Sequence, residues 1–330
     1  MKKILLDAYG IPEQVARCAE VADLAAPGPG QVLFEVLAFP INPADVWFCH
    51  GHYRLRPPLP ATPGAECVGR VVAVGEGVSR VAPGDLVINL QRENWAQQRL
   101  VGENDVVRIS PDLPIAQAAM LRINPPTALL MLSDLVDLQP GDWVMQNVAN
   151  SAVGRWVIKL AKARGLRTLN VVRRESLFDE LHSLGADACL VDGPELQQAA
   201  TAAVSGAPIR LALDAVAGQA TARLAECVVD NGVVCSYGSM TGEDPVMPRA
   251  ALIYRGVRLE GFMLGRFLAS RTPAQIEQVY AQLAQVLLRG ELQAPVAQVY
   301  PIEQIADALR HAQQGERGGK ILVAPNGSFA

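Results

Sequence analysis

An α/β fold is expected from this sequence: a doubly wound parallel sheet that follows a β-rich barrel or sandwich. Three features carry that expectation. The stretch Gly141 to Glu175, GDWVMQNVANSAVGRWVIKLAKARGLRTLNVVRRE, reads as strand, tight turn, helix, strand. From there to residue 261, apolar runs alternate between strand and helix, the pattern of a parallel sheet covered on both faces. Before residue 120, strand candidates are short, closely spaced and separated by Gly/Pro turns.

The early strands are Lys3 to Leu6, Val32 to Phe39, Cys67 to Val74, Gly84 to Leu90 and Asp105 to Ile109. Pro27-Gly28-Pro29-Gly30, Gly75-Glu76-Gly77 and Pro83-Gly84-Asp85 punctuate them as turns. In the 141–175 unit, Val144, Met145 and Val148 follow the turn signal Pro140-Gly141 as a buried strand would. The helix after the turn puts Val153, Val157, Ile158 and Leu160 on one face and Arg155, Lys159 and Lys162 on the other. Gly165 ends it, and Thr168 to Val172 is the next strand. Helices 177–184, 194–204 and 219–228 then alternate with strands 188–191, 211–215 and 233–237. A long helix from Pro273 to Leu288, a strand Val296 to Tyr300, a helix from Ile302 and a strand Lys320 to Val323 complete the chain.

At 330 residues the chain is too long for one ordinary core. The expected division is a first domain over 1–120, a second over 121–261, and a return to the first over 262–330. Hydrophobic residues make up 50% and charged residues 19%, a soluble globular balance. A net charge of −4 argues against a nucleic-acid partner. No uninterrupted apolar segment is long enough to span a membrane. The start, MKKILLDAYG, lacks the apolar run and cleavage site of a signal peptide. Six cysteines occur without a C-x-x-C pair, so free thiols in the cytoplasm are expected. There is no tandem repeat.

The turn Asn147 to Ala152 sits where a βαβ unit binds a pyrophosphate at a helix N-terminus. Its glycine fingerprint is poor, with only Gly154 kept. Small residues Ala149, Ser151 and Ala152 still allow close backbone approach, and Asn150 and Ser151 can hydrogen-bond at the helix start. Taken alone, the fingerprint fits an ordinary crossover with a short turn better. At the end of the next strand stand Arg173 and Arg174, where a 2′-hydroxyl reader would place a carboxylate. Guanidinium groups suit a 2′-phosphate, which favours NADPH; a solvated basic pair is the alternative.

The order barrel, nucleotide domain, barrel return joins two motifs. One is G-x-E-x-x-G-x-V-x-x-V-G (Gly64, Glu66, Gly69, Val71, Val74, Gly75), the other P-G-D (Pro83 to Asp85). Together they resemble the medium-chain dehydrogenase/reductases over essentially the whole chain. Within that superfamily the chain is most similar to the NADPH-dependent 2-enoyl thioester reductases. The matches are INPADVWFCHGHY (41–53), INPPTALLML (123–132), LQPGDWVMQNVANSAVG (138–154), TLNVVRRE (168–175), YGSM (237–240) and GFML (261–264). The resemblance implies a partly open chaperonin-10-like β-barrel as catalytic domain and a Rossmann doubly wound sheet. It implies NADPH as cofactor, an enoyl thioester as substrate, and a homodimer.

It also implies site residues. Tyr53 would be the proton donor and Trp95 would line the acyl site. Asn124 would contact the nicotinamide end, and Asn150, Ser151, Ala152 and Val153 the pyrophosphate. Arg173, Arg174 and Glu175 would hold the adenosine phosphate, with Tyr237, Gly238, Ser239 and Met240 at the carboxyl edge of the sheet. Phe262, Met263, Leu264 and Lys320 would close the nicotinamide side. From residue type alone, Tyr53 also fits a loop aromatic over Pro57 and Pro58, Trp95 a half-buried residue beside a strand, and Lys320 a surface lysine. Two positions depart from the branch: Ala152 replaces Gly, and Glu175 stands where Arg is frequent.

No metal site is expected. Zinc alcohol dehydrogenases of this superfamily carry C-x-x-D early in the barrel and G-H-E later. Here the segments are Asn42-Pro43-Ala44-Asp45 and Gly64-Ala65-Glu66, with neither thiolate nor imidazole. The second lobe of closely spaced cysteines is missing. Cys49, His50 and His52 share one short loop, from which side chains rarely converge tetrahedrally. Three functions follow in order: an enoyl thioester reductase, an NADPH-dependent quinone or small-enone reductase, and a non-catalytic dinucleotide-binding protein. Ala152, and Arg92 near the acyl site, keep the third open. The stretch Val257 to Leu264 is expected as an edge strand whose Leu259, Phe262 and Leu264 seek a second copy, unless the next helix covers them.

Overall fold

The computed structural model describes residues 1–315 and 317–329. The chain divides into two units, Met1–Ile123 with Thr272–Ala330, and Asn124–Arg271. The strand alternation alone puts the second domain at 121–261.

The first unit opens with an antiparallel hairpin of β1 (Lys2–Leu6) and β2 (Ala16–Glu20). Strand β3 (Gln31–Pro40) is its longest, and Val32, Phe34, Val36 and Ala38 are fully buried while the residues between them are not. That period of two marks a sheet with one face on the core. β4 (Val68–Val74), β5 (Leu86–Asn89), β6 (Gln98–Gly102) and β7 (Val106–Ile109) follow. β4 and β6 both pair antiparallel with β3, and β5 joins β4 to β7.

The second unit is a six-stranded parallel sheet. Its strands are β8 (Trp143–Gln146), β9 (Arg167–Val172), β10 (Ala188–Val191), β11 (Ile209–Asp214), β12 (Val233–Ser236) and β13 (Arg258–Gly261). Their order is β10-β9-β8-β11-β12-β13, so direction reverses between β8 and β11. This is the order of a dinucleotide-binding sheet, whose ligand crevice opens at the carboxyl ends of strands at that reversal. Every residue of β8 is buried, as a central strand covered on both faces requires. Helix Ala152–Ala163 buries Val153, Val157, Ile158 and Leu160 on the expected face, together with Trp156.

Back in the first unit, helix Pro273–Leu288 starts with a capping box between Thr272 and Gln275 and has Pro in its first turn. β14 (Val296–Pro301) and β15 (Lys320–Ala324) then run parallel, and β15 pairs with β3. The sheet order β14-β15-β3-β4-β5-β7 leaves the barrel partly open.

The stretch expected as one strand over 257–264 is shorter. β13 stops at Gly261, and Met263 caps a helix, Leu264–Ala269. β13 is the edge of its sheet. Phe262, however, is only 6% exposed, with its ring 4.3 Å from that of Phe267. The following helix therefore shields it within the chain.

Candidate active site

In the first unit the candidate site is built around helix Pro43–Cys49. Asp45 reaches back to the Asn42 backbone N–H at 3.0 Å and also accepts from the Ala65 N–H at 2.9 Å. This ties the helix start to the Gly64-Ala65-Glu66 segment. Gly64 has φ +113, and a Cβ there would lie 2.6 Å from the Asn94 nitrogen, so only glycine fits the turn. At the other end of the helix, the His52 and Tyr53 N–H groups donate to the Trp47 carbonyl at 3.0 and 3.1 Å. Tyr53 is thereby held half-buried on the loop that leaves the helix.

Asp45 and Glu66 are both fully buried carboxylates. The Asn42 amide donates to Glu66 Oε1 at 2.7 Å, and its Oδ1 accepts from Lys320 Nζ at 2.5 Å. Glu66 also accepts from the Ile123 N–H at 3.0 Å. Burial pushes the Glu66 carboxyl up to about 7, against the opposing pull of Lys320, Asn42 and Arg122. Burial likewise raises Asp45, opposed first by Arg92, and holds Lys320 below the usual lysine range, opposed by Glu66. Arg122 donates to the carbonyls of Ala65 and Leu90. Lys320 is thus a partly buried counter-cation, hydrogen-bonded to Asn42 and drawn to Glu66 by charge.

The two residues expected at the substrate sit differently. Trp95 is fully buried in the core, stacked on Phe39 at 5.6 Å, with its Nε1 making no hydrogen bond among the described residues. Tyr53 stays partly open, with the Arg92 guanidinium over its ring, 4.9 Å from the centroid.

In the second unit, the expected cofactor residues follow the carboxyl ends of β8, β9, β12 and β13, apart from Asn124 at the start of an earlier helix; Lys320 lies in the first unit. Ser151 caps helix Ala152–Ala163, its Oγ accepting from the Gly154 N–H at 3.1 Å. A Cβ on Gly154 would lie 2.4 Å from the Ala149 carbonyl oxygen, so the turn needs glycine there even though it has Asn150 and Ala152 elsewhere. Arg155 holds the Asn150 carbonyl at 3.2 Å. Val153 is 9% exposed and faces the core. Arg173, Arg174 and Glu175 follow β9 directly and are exposed. Tyr237, Gly238, Ser239 and Met240 follow β12; the Tyr237 N–H donates to the Asp214 carbonyl at 2.9 Å and Met240 is 62% exposed. Phe262 donates its N–H to the Ser236 carbonyl at 2.9 Å, Met263 is 38% exposed, and Leu264 begins the next helix. Asn124 opens helix Asn124–Asp134.

A dinucleotide fits this edge. The Tyr237 hydroxyl, near the Ser151 side chain, and the Asn124 Nδ2 are both buried, and neither has a partner within hydrogen-bond distance among the described residues. Both are donors that a bound polar ligand would satisfy. The helix N-terminus adds backbone N–H groups and a favourable dipole for phosphate.

Sequence reasoning missed the brace beneath this edge. Asp214, fully buried, accepts from Asn147 Nδ2 at 2.6 Å, Thr221 Oγ1 at 2.5 Å and the Val216 N–H at 2.9 Å. Asn147 Oδ1 in turn accepts from the Ala215 N–H at 2.8 Å. The brace joins the ends of β8 and β11 where the strand order reverses. Its one signal in the sequence is an acidic residue closing an apolar strand, IRLALD.

Comparison with known proteins accords with both halves. Residues 28–110 match the alcohol dehydrogenase GroES-like domain, and residues 184–323 match the zinc-binding dehydrogenase family. The mitochondrial enoyl-[acyl-carrier-protein] reductase of Bos taurus is 36% identical over 93% of this chain and 84% of its own length. The human enzyme of the same name is 36% identical over 91% and 82%. Among solved structures, a candidate NADPH:quinone reductase from Bacillus thuringiensis superposes with a TM-score of 0.91 at 26% identity, covering 98% of each chain. A mitochondrial 2-enoyl thioester reductase heterodimer from Candida tropicalis shares the fold, with a TM-score of 0.85 at 24% identity over 98% and 99%. A barrel of GroES type, a parallel sheet reversing beneath a helix N-terminus, and relatives that match along nine-tenths of the sequence place this oxidoreductase in the medium-chain dehydrogenase/reductase superfamily.

Proposed function

We propose that the protein is an NADPH-dependent reductase of α,β-unsaturated (2-enoyl) thioesters, with Tyr53 as proton or hydrogen-bond donor. The reading includes zinc-independent chemistry, a homodimer and a cytoplasmic location. The observation that carries it is the 36% identity to enoyl reductases along 93% of the chain.

Hydride is the chemistry that bound NADPH supplies, and NADP⁺ is left. The substrate's C=C bond gains that hydride at the β-carbon and a proton at the α-carbon. Between the two additions, negative charge sits on the thioester oxygen as an enolate. The Tyr53 hydroxyl can donate to that oxygen and supply the α-proton, after which the phenolate regains a proton from water. Asn150, Ser151, Ala152 and Val153 would receive the pyrophosphate at the helix start, Tyr237 and Asn124 would give their unpaired donors, and Gly238 and Ser239 would lie along the cofactor. Arg173 and Arg174 would take the 2′-phosphate, with Glu175 opposing them. Zinc independence is supported by Asn42 and Ala65, whose side chains are poor zinc ligands, and by the Lys320 ammonium bonded to Asn42.

The test is Tyr53→Phe, which removes the donor and keeps the ring. Turnover of a crotonyl thioester should fall at least ~10²-fold, with NADPH affinity unchanged. A variant that keeps the wild-type rate would remove Tyr53 from the chemistry. The second reading, a quinone reductase, is favoured by the Bacillus thuringiensis structure. Quinone turnover that greatly exceeds thioester turnover in the wild type would establish it.

A further inference from the structure

Arg92 is placed against the candidate proton donor, and its own contacts leave one of its donors unused. The guanidinium carbon lies 4.9 Å from the Tyr53 ring centroid and 5.6 Å from that of Phe48. Both distances are within cation–π range. Its Nη2 is buried and has no hydrogen-bond acceptor among the described residues. The nearest carboxylate oxygen, Asp45 Oδ1, is 3.7 Å from Nη2, close enough for charge attraction but too far for a hydrogen bond. Asp45 is already occupied by the backbone N–H groups of Asn42 and Ala65. A buried, charged donor without an acceptor is costly and calls for an explanation, which a bound ligand can supply.

The ligand atom that best completes it is an anionic oxygen. A guanidinium is permanently charged and directs its N–H bonds in a rigid plane. Held by two aromatic rings, it needs little reordering to make that bond. The inference rests on the enoyl thioester reading, in which charge develops on the substrate oxygen next to the Tyr53 hydroxyl. We propose that Arg92 is a second substrate-binding residue, which donates its unpaired Nη2 hydrogen to the thioester oxygen as that oxygen becomes an enolate. Tyr53 and Arg92 then divide the work. The phenol provides the transferable proton and the guanidinium provides a charge that cannot be transferred.

The bland alternative is that Arg92 only neutralises Asp45. Substitution separates the two. Arg92→Met, Arg92→Lys and the double variant Arg92→Met/Asp45→Asn are compared with wild type, using N-acetylcysteamine thioesters, which carry no phosphate. Two readouts are taken: NADPH-dependent turnover of the crotonyl thioester, and ionisation of bound acetoacetyl thioester, followed by enolate absorbance without any turnover. Arg92→Met should lower kcat roughly 10²-fold, as loss of one oxyanion donor does. It should also weaken binding of the acetoacetyl enolate at least ~10-fold relative to the neutral form. NADPH affinity should not change, and Arg92→Lys should recover part of both effects.

Recovery in the Arg92→Met/Asp45→Asn double variant would overturn the proposal, because then only charge balance mattered. A loss seen with coenzyme A thioesters and absent with N-acetylcysteamine thioesters would also overturn it, assigning the contact to carrier phosphate. Wild type that fails to reduce the crotonyl thioester, yet binds the acetoacetyl enolate through Arg92, would sink the enoyl reductase reading and leave the oxygen-binding role standing. Equal enolate binding by wild type and Arg92→Met would sink the role itself.

Discussion

Glu66 should make the first unit less stable as pH rises through neutrality. An ordinary glutamate titrates near 4.5, and burial pushes this one up to about 7. Between those values the unfolded chain has lost the proton and the folded chain keeps it. The stabilising contribution is therefore full below about 4.5 and is lost as pH rises through about 7. At about 1.4 kcal/mol per pH unit, the interval is worth roughly 3 kcal/mol. Glu66→Gln keeps the shape, leaves one oxygen for either Asn42 or Ile123 and not both, and removes the titration. The assay is thermal unfolding of both proteins without ligand from pH 5 to pH 8. Between the ends of that range the melting temperature of wild type should fall against that of the variant. For a unit of this size, about 2–4 °C per kcal/mol gives a relative change of roughly 6–12 °C. A constant gap would refute the reasoning. That outcome would show Glu66 ionised across the whole range, its burial offset by Lys320.

Replacing Arg173 and Arg174 together with Ala should weaken NADPH binding by roughly 1.5–3 kcal/mol for each charged hydrogen bond lost, leaving NADH nearly unaffected; equal affinity of wild type for both cofactors in a fluorescence titration would end the 2′-phosphate argument. Elemental analysis of the purified protein should find far less than one zinc per chain, and a chelator should not slow turnover, whereas stoichiometric zinc would contradict the role given to Asn42 and Ala65. Light scattering should return close to twice the 35.3 kDa chain mass, because β13 is an open sheet edge with Ile253 and Tyr254, 66% and 74% exposed, on the segment before it; a monomer at micromolar concentration would exclude the homodimer.

The fold is legible where local signals are strong. Alternating strand and helix over 141–237 requires a parallel sheet, and Thr272, Pro273 and Gln275 announce the long helix. β2 and β6 escape sequence reading because ARCAE and QRLVG have weak apolar alternation; β6 is held by its antiparallel pairing with β3, not by its own pattern. β13 reads too long because GFML continues the apolar run, while the backbone turns at Met263 to cover Phe262 with Phe267. Periodicity reports which side chains are apolar. It does not report where the chain bends to shield them.

The site is legible in residue types and illegible in partnerships. Asn42, Asp45, Ala65 and Glu66 can be read as an altered ligand set from their spacing, but nothing near them says what balances two buried carboxylates. For Asp45 the first answer is Arg92; for Glu66 it is Lys320, 278 residues from the Asn42 it binds and reading on its own as a surface lysine. Burial makes each of these charges costly alone, so each constrains the others more tightly than any local motif does. If Glu66 is neutral near pH 7, the Lys320 ammonium loses its charge attraction and keeps the hydrogen bond to the Asn42 carbonyl. If Glu66 is ionised, Asn42 is pulled from both ends and the start of helix Pro43–Cys49 is fixed more firmly. The protonation state of a residue that touches no substrate would then reach Tyr53 through one asparagine, one helix and the two backbone bonds to Trp47.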